Sequence, residues 1–460
     1  MRHRPAVTAL ILAAILAGAP AAATEQRMAT LREAQNLALR AVAAGQAETA
    51  LALADAILAQ YPRDSFAHLV RATALLQAGQ ARVAGPEARR AFHYAQSDTQ
   101  RFEAARVAAL AAARQDRFLV AQFWMRRAMQ AAPGPQQKAS AVIGFRNVRQ
   151  AARAAVQLSF SVAPSNNVNG GSSDRYNVID GVPLVGVLSG SALALPGTVA
   201  RGSARLRYRL AGDNRTQTDL TGALQLTRVH LSDEAHAKAP GVDDADFGST
   251  YAELGLRHAR LAGPRGGLVE TEAELGRVWS GGTRSHDVAR ASLSYSLSAG
   301  KTARMTYSGT IQRQFGFADG RDDVDTGALA VSWQTALANR DQLTAQLARS
   351  TSLSDNGQAE QTATTLTLGY RKAAPLGPVT LGGRISWGEA HYPSYAVGFI
   401  GVPGGRQDTR LAAEIDFGLT PLEYMGFVPT VTLTAEQTDS NVSRFTTDEV
   451  SLSIGFRSAF

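Results

Sequence analysis

Alternating apolar and polar side chains dominate this chain from about residue 156 onwards, and they constrain the fold more than any other feature. In the last segment Val450, Leu452 and Ile454 share one parity, whereas Ser451 and Ser453 occupy the other. Successive side chains of a β-strand point to opposite faces, so each segment predicts a strand with one apolar and one polar face. Fourteen segments have this pattern: residues 156–163, 199–210, 216–231, 248–260, 267–280, 286–299, 303–315, 324–337, 340–352, 360–372, 378–391, 407–419, 427–439 and 446–460.

The connections between these segments alternate in length. The odd-numbered connections include long polar stretches, at residues 164–198, 232–247, 316–323 and 392–406. The even-numbered connections are tight, at residues 211–215, 261–266, 300–302, 338–339, 373–377 and 421–426. Bacterial outer-membrane barrels have an even strand number, short periplasmic turns and longer outer loops. We therefore predict a 14-stranded antiparallel transmembrane β-barrel over residues 156–460, in the outer membrane.

The N-terminal residues have the composition of an export signal. Arg2 and Arg4 form a basic start, residues 6–17 an apolar core, and residues 21–23 a small-residue cleavage site. The apolar core is too short to cross a bilayer as a helix, so we predict a signal peptide over residues 1–23. The chain has no cysteine, which excludes disulfides and thiolate metal sites. Its formal charge of +8 includes no Lys/Arg run, so no nucleic-acid partner is expected.

Residues 24–155 have helical periodicity instead. Leu51, Ala54 and Leu58 fall on one helix face, and Pro62 is expected to end that helix. The Gly-Gln-Ala sequence of residues 45–47 recurs 34 residues later at 79–81, with a looser copy from residue 115. A 34-residue helix–turn–helix period predicts a periplasmic, all-α, tetratricopeptide-like superhelix, and hence an α + β membrane protein. The small residues at its expected packing positions are Ala50, Ala54, Ala88, Ala91, Ala121 and Ala128.

No catalytic or cofactor motif stands out. The eight histidines form no His-x-x-His or His-Glu-x-x-His pair, and no nucleophile elbow, P-loop or dinucleotide fingerprint occurs in context. Asp319, Asp322, Asp323 and Asp325 could ligate calcium, but they lack the spacing of a calcium-binding loop and are better explained as solvated loop residues. We predict no enzyme activity, no cofactor and no metal site.

Charged residues of both signs occupy the polar parity of several predicted strands and are expected to face the barrel lumen. They are Arg205, Arg207, Arg209, Glu270, Glu272, Glu274, Arg384, Arg410, Glu414, Asp416 and Arg457. A polar interior is normal for barrels of this kind. Two interpretations stay open: a structural ladder of ion pairs, or a lining that handles a polar client.

Two short motifs flank the predicted barrel. The first segment runs into Ala-Pro-Ser-Asn-Asn-Val-Asn at residues 163–169, and Gly-Phe-Val-Pro at 426–429 precedes Ser-Asn-Val at 440–442. With the terminal Phe460, this layout resembles the surface lipoprotein assembly modulator (Slam) family. Ser165 replaces the family's usual Asp, and Val168 and Val442 replace Ile. The motif residues carried by the resemblance are Pro164, Asn166, Asn167, Asn169, Gly426, Pro429, Ser440, Asn441 and Phe460.

The resemblance implies a translocon that delivers lipoproteins, or secreted haem- or metal-acquisition proteins, to the cell surface. The expected partners are outer-membrane lipid, the client protein, periplasmic chaperones and the barrel assembly machinery. A helical-repeat porin for exopolysaccharide export and a passive porin are the alternatives. The identity of the client, its lipidation and the oligomeric state stay open.

A client cannot pass such a barrel in folded form. A folded domain of about 100 residues is wider than about 25 Å, whereas barrels of sixteen to eighteen strands hold only a channel for small solutes. We therefore expect an unfolded client or an opening between the first and last strands. Pro164, which lacks a backbone N–H, is expected to end the first strand. Ser453 is taken as the partner of Ser159 across that opening.

Overall fold

A computed structural model describes residues 30–182, 185–263, 266–316 and 322–458. The predicted signal peptide, Asp319 and Phe460 lie outside these residues. The chain divides into a helical unit that extends to Ala152 and a barrel unit that begins at Arg153.

Seven α-helices occupy the described part of the helical unit. They are α1 (Leu31–Ala43), α2 (Ala47–Gln60), α3 (Ser65–Gln77), α4 (Ala81–Tyr94), α5 (Asp98–Ala113), α6 (Phe118–Gln130) and α7 (Pro135–Ala151). Side chains that accept from backbone N–H groups begin α1, α3 and α5, at Thr30, Asp64 and Ser97. The helix α2 ends at Gln60, just before Pro62, as expected. Within residues 30–152, no helix is long and apolar enough to cross a membrane.

Small residues let neighbouring helices approach closely. Each helix packs against the next, and α1 also contacts α3, as α3 contacts α5. The turns at Gly45 and Gly79 have positive φ angles of 72° and 75°, which glycine adopts without strain. The starts of α1 and α3 are 34 residues apart, as are those of α2 and α4. The six predicted packing alanines are all buried: Ala50, Ala54, Ala88, Ala91, Ala121 and Ala128. The assignment to the tetratricopeptide class stays a prediction.

Fourteen antiparallel strands close into a barrel. They are β1 (Ala154–Ser165), β2 (Gly197–Gly212), β3 (Thr216–Leu231), β4 (Ser249–Ala262), β5 (Gly267–Ser280), β6 (Thr283–Ala299), β7 (Ala303–Gly316), β8 (Val324–Ala336), β9 (Gln342–Leu353), β10 (Gln361–Arg371), β11 (Val379–Tyr392), β12 (Arg406–Leu419), β13 (Phe427–Ser440) and β14 (Thr447–Ser458). Sequential strands pair, and β14 pairs with β1. The predicted 14-stranded barrel is therefore confirmed.

One predicted boundary is wrong. Pro164 was expected to end the first strand, but β1 continues through it to Ser165, and Pro164 lies opposite Thr198 of β2. Proline lacks only the N–H donor, so the chain stays extended and the missing bond weakens pairing with one neighbour alone.

The outer face of the barrel is apolar. Leu158 of β1 is 57% exposed and Leu452 of β14 is 47% exposed, and the exposed apolar residues of the other strands follow the same alternation. Only helices and closed barrels satisfy their backbone groups in hydrocarbon, and an apolar outer band suits lipid. The protein is a multi-pass barrel of the outer membrane.

Short turns lie at the barrel end that holds its N- and C-terminal strand ends. They span residues 213–215, 263–266, 300–302, 337–341, 372–378 and 420–426. Three of the seven connections at the other end are much longer, at residues 166–196, 232–248 and 393–405, whereas the other four, at residues 281–282, 317–323, 354–360 and 441–446, have two to seven residues. This asymmetry places the longer loops on the extracellular side.

Candidate functional site: the barrel lumen and the β1–β14 seam

The eleven charged residues singled out in the sequence alternate with outward-facing apolar ones. On β2, for example, Leu206 and Tyr208 are exposed on the outer face, and Arg205, Arg207 and Arg209 occupy the other parity. Because the outer face of the closed barrel is apolar, these charged residues line the lumen.

Charges of opposite sign face one another along the lumen wall from β2 to β5. The register places Arg209, Asp219, Arg257 and Glu272 in one row across the four strands. Asp219 is fully buried, and Arg257 Nη1 donates to its Oδ2 at 2.9 Å. Gln217 Nε2 also donates to both carboxylate oxygens of Asp219, at 2.8 Å each. Such pairing offsets the cost of burying the carboxylate.

Further ion pairs continue this wall. Arg257 also contacts Glu270, and Thr221 Oγ1 donates to Glu272 at 3.2 Å. On β6, Arg290 donates from Nη1 to Glu274 and from Nε to Gln312, at 3.0 Å each.

A tyrosine covers a glycine on the same wall. A side chain at Gly276 would meet the ring of Tyr251 at 2.8 Å, so only glycine leaves room for that ring. The Tyr251 hydroxyl donates to Glu253. The Tyr251 ring therefore covers the backbone of Gly276, which has no side chain of its own to cover it.

A second charged wall lies on β11 to β13. Arg384 Nη2 donates to Glu414 at 2.6 Å, and Arg410 Nη2 donates to Glu436 at 2.5 Å. Asp416 accepts from Thr432 at 3.3 Å. Arg457 of β14 has no ion pair among the described residues.

The sequence interpretation missed partners on these walls. Arg257, Arg290 and Glu436 form ion pairs with the predicted lumen residues Glu270, Glu274 and Arg410, and Asp219 pairs with Arg257. Each has the polar parity of its strand, which was the available signal, but its partner depends on the register between strands.

The seam between β1 and β14 is the shortest pairing in the barrel. With β2, β1 pairs over all twelve of its residues, from Ala154 to Ser165. With β14 it pairs only at Phe160, Ser161, Val162 and Ser165. Residues 154–159 therefore have no partner within the described part of β14, and pairing is interrupted around Pro164.

The observed register corrects the expected pair across this seam. Val162 lies opposite Ile454 and Ser165 opposite Ser451, so Ser453 falls opposite position 163 and not opposite Ser159. The Ser159 hydroxyl instead hydrogen-bonds the Ser203 hydroxyl of β2 at 2.7 Å. The alternation of apolar and polar residues predicts the faces of both strands but not their stagger.

An asparagine side chain extends the seam at its extracellular end. Asn166 Oδ1 accepts from the N–H of Val450 at 2.9 Å, and its Nδ2 donates to the carbonyl of Asp448 at 3.4 Å. Ser165 Oγ donates to Glu449 Oε1 at 2.9 Å. The Asn166 amide thus bonds β14 as a backbone amide would, just beyond the point where Pro164 interrupts the ladder.

The other motif asparagines shape the extracellular loops. Asn167 Oδ1 accepts from Gly171 N at 2.9 Å, and Asn169 Oδ1 accepts from Leu195 N at 2.9 Å. In the last loop, Asn441 Oδ1 accepts from Gln407 N at 2.7 Å. These are the amide–backbone bonds that fix turns.

The remaining motif residues have simpler settings. Ser440 Oγ accepts from Val442 N at 3.2 Å. Gly426 has a positive φ of 75° in the turn before β13. Pro429 lies just beyond the residues of β13 that pair with β12, so its missing donor interrupts no bond there.

The first extracellular loop docks onto the last one. We name residues 166–196 and 441–446 together the extracellular clasp. Asp180 N donates to Asn441 O at 3.0 Å, and Ser172 Oγ donates to Ser443 O at 2.9 Å. Ile179 and Val442 are buried against each other and Val402. Because one loop continues β1 and the other leads into β14, the clasp joins the two strands of the seam.

The acidic stretch near residue 320 forms ordinary loop contacts. Asp325 pairs with Arg313, and Asp323 accepts from Gly316 N at 3.3 Å. Among the described residues, no group of acidic and histidine side chains is arranged to hold a metal ion.

Several solved outer-membrane proteins resemble this chain weakly. It aligns over 66% of its length with 95% of an outer membrane channel from Pseudomonas putida F1 (TM-score 0.33, 9% identity). It aligns over 66% with 97% of OmpT, an outer membrane protein of Vibrio cholerae (TM-score 0.34, 8% identity). An anion-selective porin from Comamonas acidovorans aligns with 67% of the chain over 100% of its own (TM-score 0.29, 10% identity). No family model and no curated protein matches the chain.

Proposed function

We propose that this protein is an outer-membrane translocon, in which the β1–β14 seam opens sideways to deliver a client protein to the cell surface. The observation that carries the proposal is the seam itself: β1 has four paired positions with β14, whereas β13 and β14 pair at twelve. The client is a lipoprotein or a secreted haem- or metal-acquisition protein, as the Slam resemblance implies.

Barrel size supports a lateral route. A fourteen-stranded barrel is too narrow for a folded domain, so the client crosses unfolded or adds a strand to an opened wall. Leu158 and Ser159 of β1 do not pair with the described part of β14, and unpaired backbone groups are costly in hydrocarbon. A client strand that pairs with this edge would satisfy those groups by β-augmentation.

The helical unit supplies a surface for periplasmic partners. Its exposed apolar residues include Leu119 and Phe123 of α6 and Ile143 of α7. We propose that clients or chaperones dock on this unit, that lipid contacts the apolar outer face, and that the barrel assembly machinery inserts the barrel.

Disulfides across the seam test the lateral route. The chain has no cysteine, so Val162→Cys with Ile454→Cys, and separately Ser165→Cys with Ser451→Cys, introduce single crosslinks at register pairs. The two pairs lie three residues apart, so one of them has the closer spacing of a non-hydrogen-bonded pair. We expect the oxidised proteins to lose surface display of the client, and reductant to restore it.

A crosslink within the continuous wall is the matched control. Ala204→Cys with Leu224→Cys joins β2 to β3 at an outward-facing register pair, so it adds a disulfide without closing the seam. Surface display should be normal in this variant. Full client export by a protein with a verified seam disulfide would contradict the proposal.

Exopolysaccharide export is the second candidate, because part of the lumen wall is rich in hydroxyl and amide groups. On β6 to β10 the lumen-facing residues include Ser292, Ser294, Thr310, Gln312, Thr344, Gln346, Thr365 and Thr367. A cavity of about 420 Å³ lies against this wall, lined by Gln346, Thr367 and Arg384 among others. A polymer threading through the lumen does not need the seam. Polymer export that persists with the seam disulfide closed would favour this candidate.

A further inference from the structure

A column of four arginines lies on the lumen face of β2. Arg201, Arg205, Arg207 and Arg209 all have the inward parity of this strand, and we name them the arginine column. Arg201, Arg205 and Arg207 have exposed side chains. Alternate residues of a strand are about 7 Å apart, so Arg205, Arg207 and Arg209 form a closely spaced series, and Arg201 lies one alternate position further from it.

The neighbours of the column on both adjacent strands are mostly neutral. Arg205 lies between Gln157 of β1 and Ala223 of β3. In the same way, Arg201 lies between Ser161 and Thr227, and Arg207 lies between Ala155 and Thr221. None of these three arginines has an ion pair with a carboxylate among the described residues.

Arg209 lies opposite an aspartate but forms no ion pair with it. Its register partner is Asp219, whose oxygens instead accept from Arg257 and Gln217. Arg209 Nε is buried without a hydrogen-bond partner. A buried donor without a partner is costly, and this one lies at the periplasmic end of the column.

Elsewhere in the lumen, four arginines form ion pairs with acidic residues. Arg257, Arg290, Arg384 and Arg410 each contact a glutamate or aspartate. Arg304, Arg371 and Arg457 have no ion pair among the described residues, but they lie on three different strands, and Asp416 lies near Arg457. The column therefore concentrates positive charge on one strand, immediately beside β1 of the seam.

We propose that the arginine column binds phosphate-type anions in the lumen. A guanidinium fork matches two oxygens of a phosphate, and serial forks suit a ligand with several phosphates or a row of phosphate headgroups. A positively charged strip in a narrow polar channel also raises the local concentration of anions. This proposal does not depend on the translocon function, and a failure of either leaves the other intact.

Tripolyphosphate binding to the full-length protein in zwitterionic nanodiscs, followed by calorimetry, tests the column. We expect saturable binding by the native protein and an affinity at least about tenfold weaker for the Arg205→Gln, Arg207→Gln double variant. The Arg384→Gln, Arg410→Gln double variant removes the same two charges from paired positions and should bind within about twofold of the native protein. Absence of saturable binding by the native protein overturns the proposal, as does equal weakening in both variants.

Two additional measurements complete the test. Heat-modifiable migration verifies that each variant barrel has folded. If a double variant does not fold, the single Arg205→Gln variant replaces it, and we expect that variant to lose an intermediate amount of tripolyphosphate affinity. Nanodiscs with phosphatidylglycerol distinguish the sources of phosphate. Repulsion by the anionic lipid weakens tripolyphosphate binding to every variant alike, so a larger loss for the native protein than for the single Arg205→Gln variant supports a lipid headgroup as the occupant of the column. An equal loss in both supports a free phosphate anion.

Discussion

Asn166 lies just beyond the end of β1, but its side chain forms hydrogen bonds with β14 of the kind that a strand backbone would form. Its side-chain amide offers one acceptor and one donor to β14, and both find backbone partners, Val450 N and Asp448 O. A side chain that replaces ladder bonds is useful where Pro164 interrupts the backbone ladder. At this scale, the seam depends on a small number of hydrogen bonds.

Replacing Asn166 should therefore weaken the seam. Asn166→Ala removes both bonds to β14, and each net hydrogen bond contributes about 1 kcal/mol, so we expect a loss of roughly 1–2 kcal/mol in barrel stability. Thermal unfolding in detergent, read by the loss of heat-modifiable migration, measures it. Asn214→Ala is the control, because Asn214 is exposed in the β2–β3 turn. Equal unfolding temperatures for the native protein and Asn166→Ala would show that these bonds do not hold the seam.

At the scale of elements, β1 and β14 are each paired completely with one neighbouring strand, β2 and β13 respectively, and incompletely with each other. Because β1 pairs along its whole length with β2, it would stay part of the wall if it separated from β14 as proposed. The extracellular clasp joins the two strands at one end, and at the other end residues 154–159 have no partner within the part of β14 that the structure describes. If the seam opens as proposed, we expect it to open from its periplasmic end.

Pro164→Ala tests the element that limits the seam. The substitution supplies the missing N–H within β1, between the pairs Val162–Ile454 and Ser165–Ser451. One additional ladder bond should raise barrel stability by about 0.5–1.5 kcal/mol, and a firmer seam should slow client delivery. The measurements are thermal unfolding in detergent and the rate of surface display. Higher stability with an unchanged display rate would separate the seam from transport.

At the scale of the whole molecule, the chain combines two units that place their apolar residues differently. The helical unit buries small residues between helices, whereas the barrel turns its apolar residues outward to lipid. The barrel strands have 11 to 17 residues, enough for the 9–11 that a tilted strand needs to cross a bilayer. A diffusion pore needs no helical unit of this kind.

Deleting residues 24–150 should separate the two roles. We expect the truncated chain to form a folded, heat-modifiable barrel, because the strand pairing lies within the barrel unit, but to display its client poorly. Surface labelling of the client in intact cells measures this, with barrel abundance as the control. Display equal to that of the full chain would remove the helical unit from the transport mechanism.

The sequence by itself determined the number of strands, their faces and the asymmetry of their connections. Alternation such as that of Val450, Ser451 and Leu452 is a property of neighbouring residues along one strand, so it can be recognised without knowing which strand pairs with it. Helix spacing and the glycine turns of the helical unit are local in the same sense.

Only the tertiary structure decided which residues meet across strands. A shift of one residue changes every pair, and register is set by turns and irregularities such as the bulge between Arg209 and Ala211. For this reason the sequence could place Arg209 in the lumen but could not show that Asp219 bonds Arg257 instead. It likewise could not give the stagger that opposes Val162 to Ile454, or the contacts by which Asn166 completes the seam.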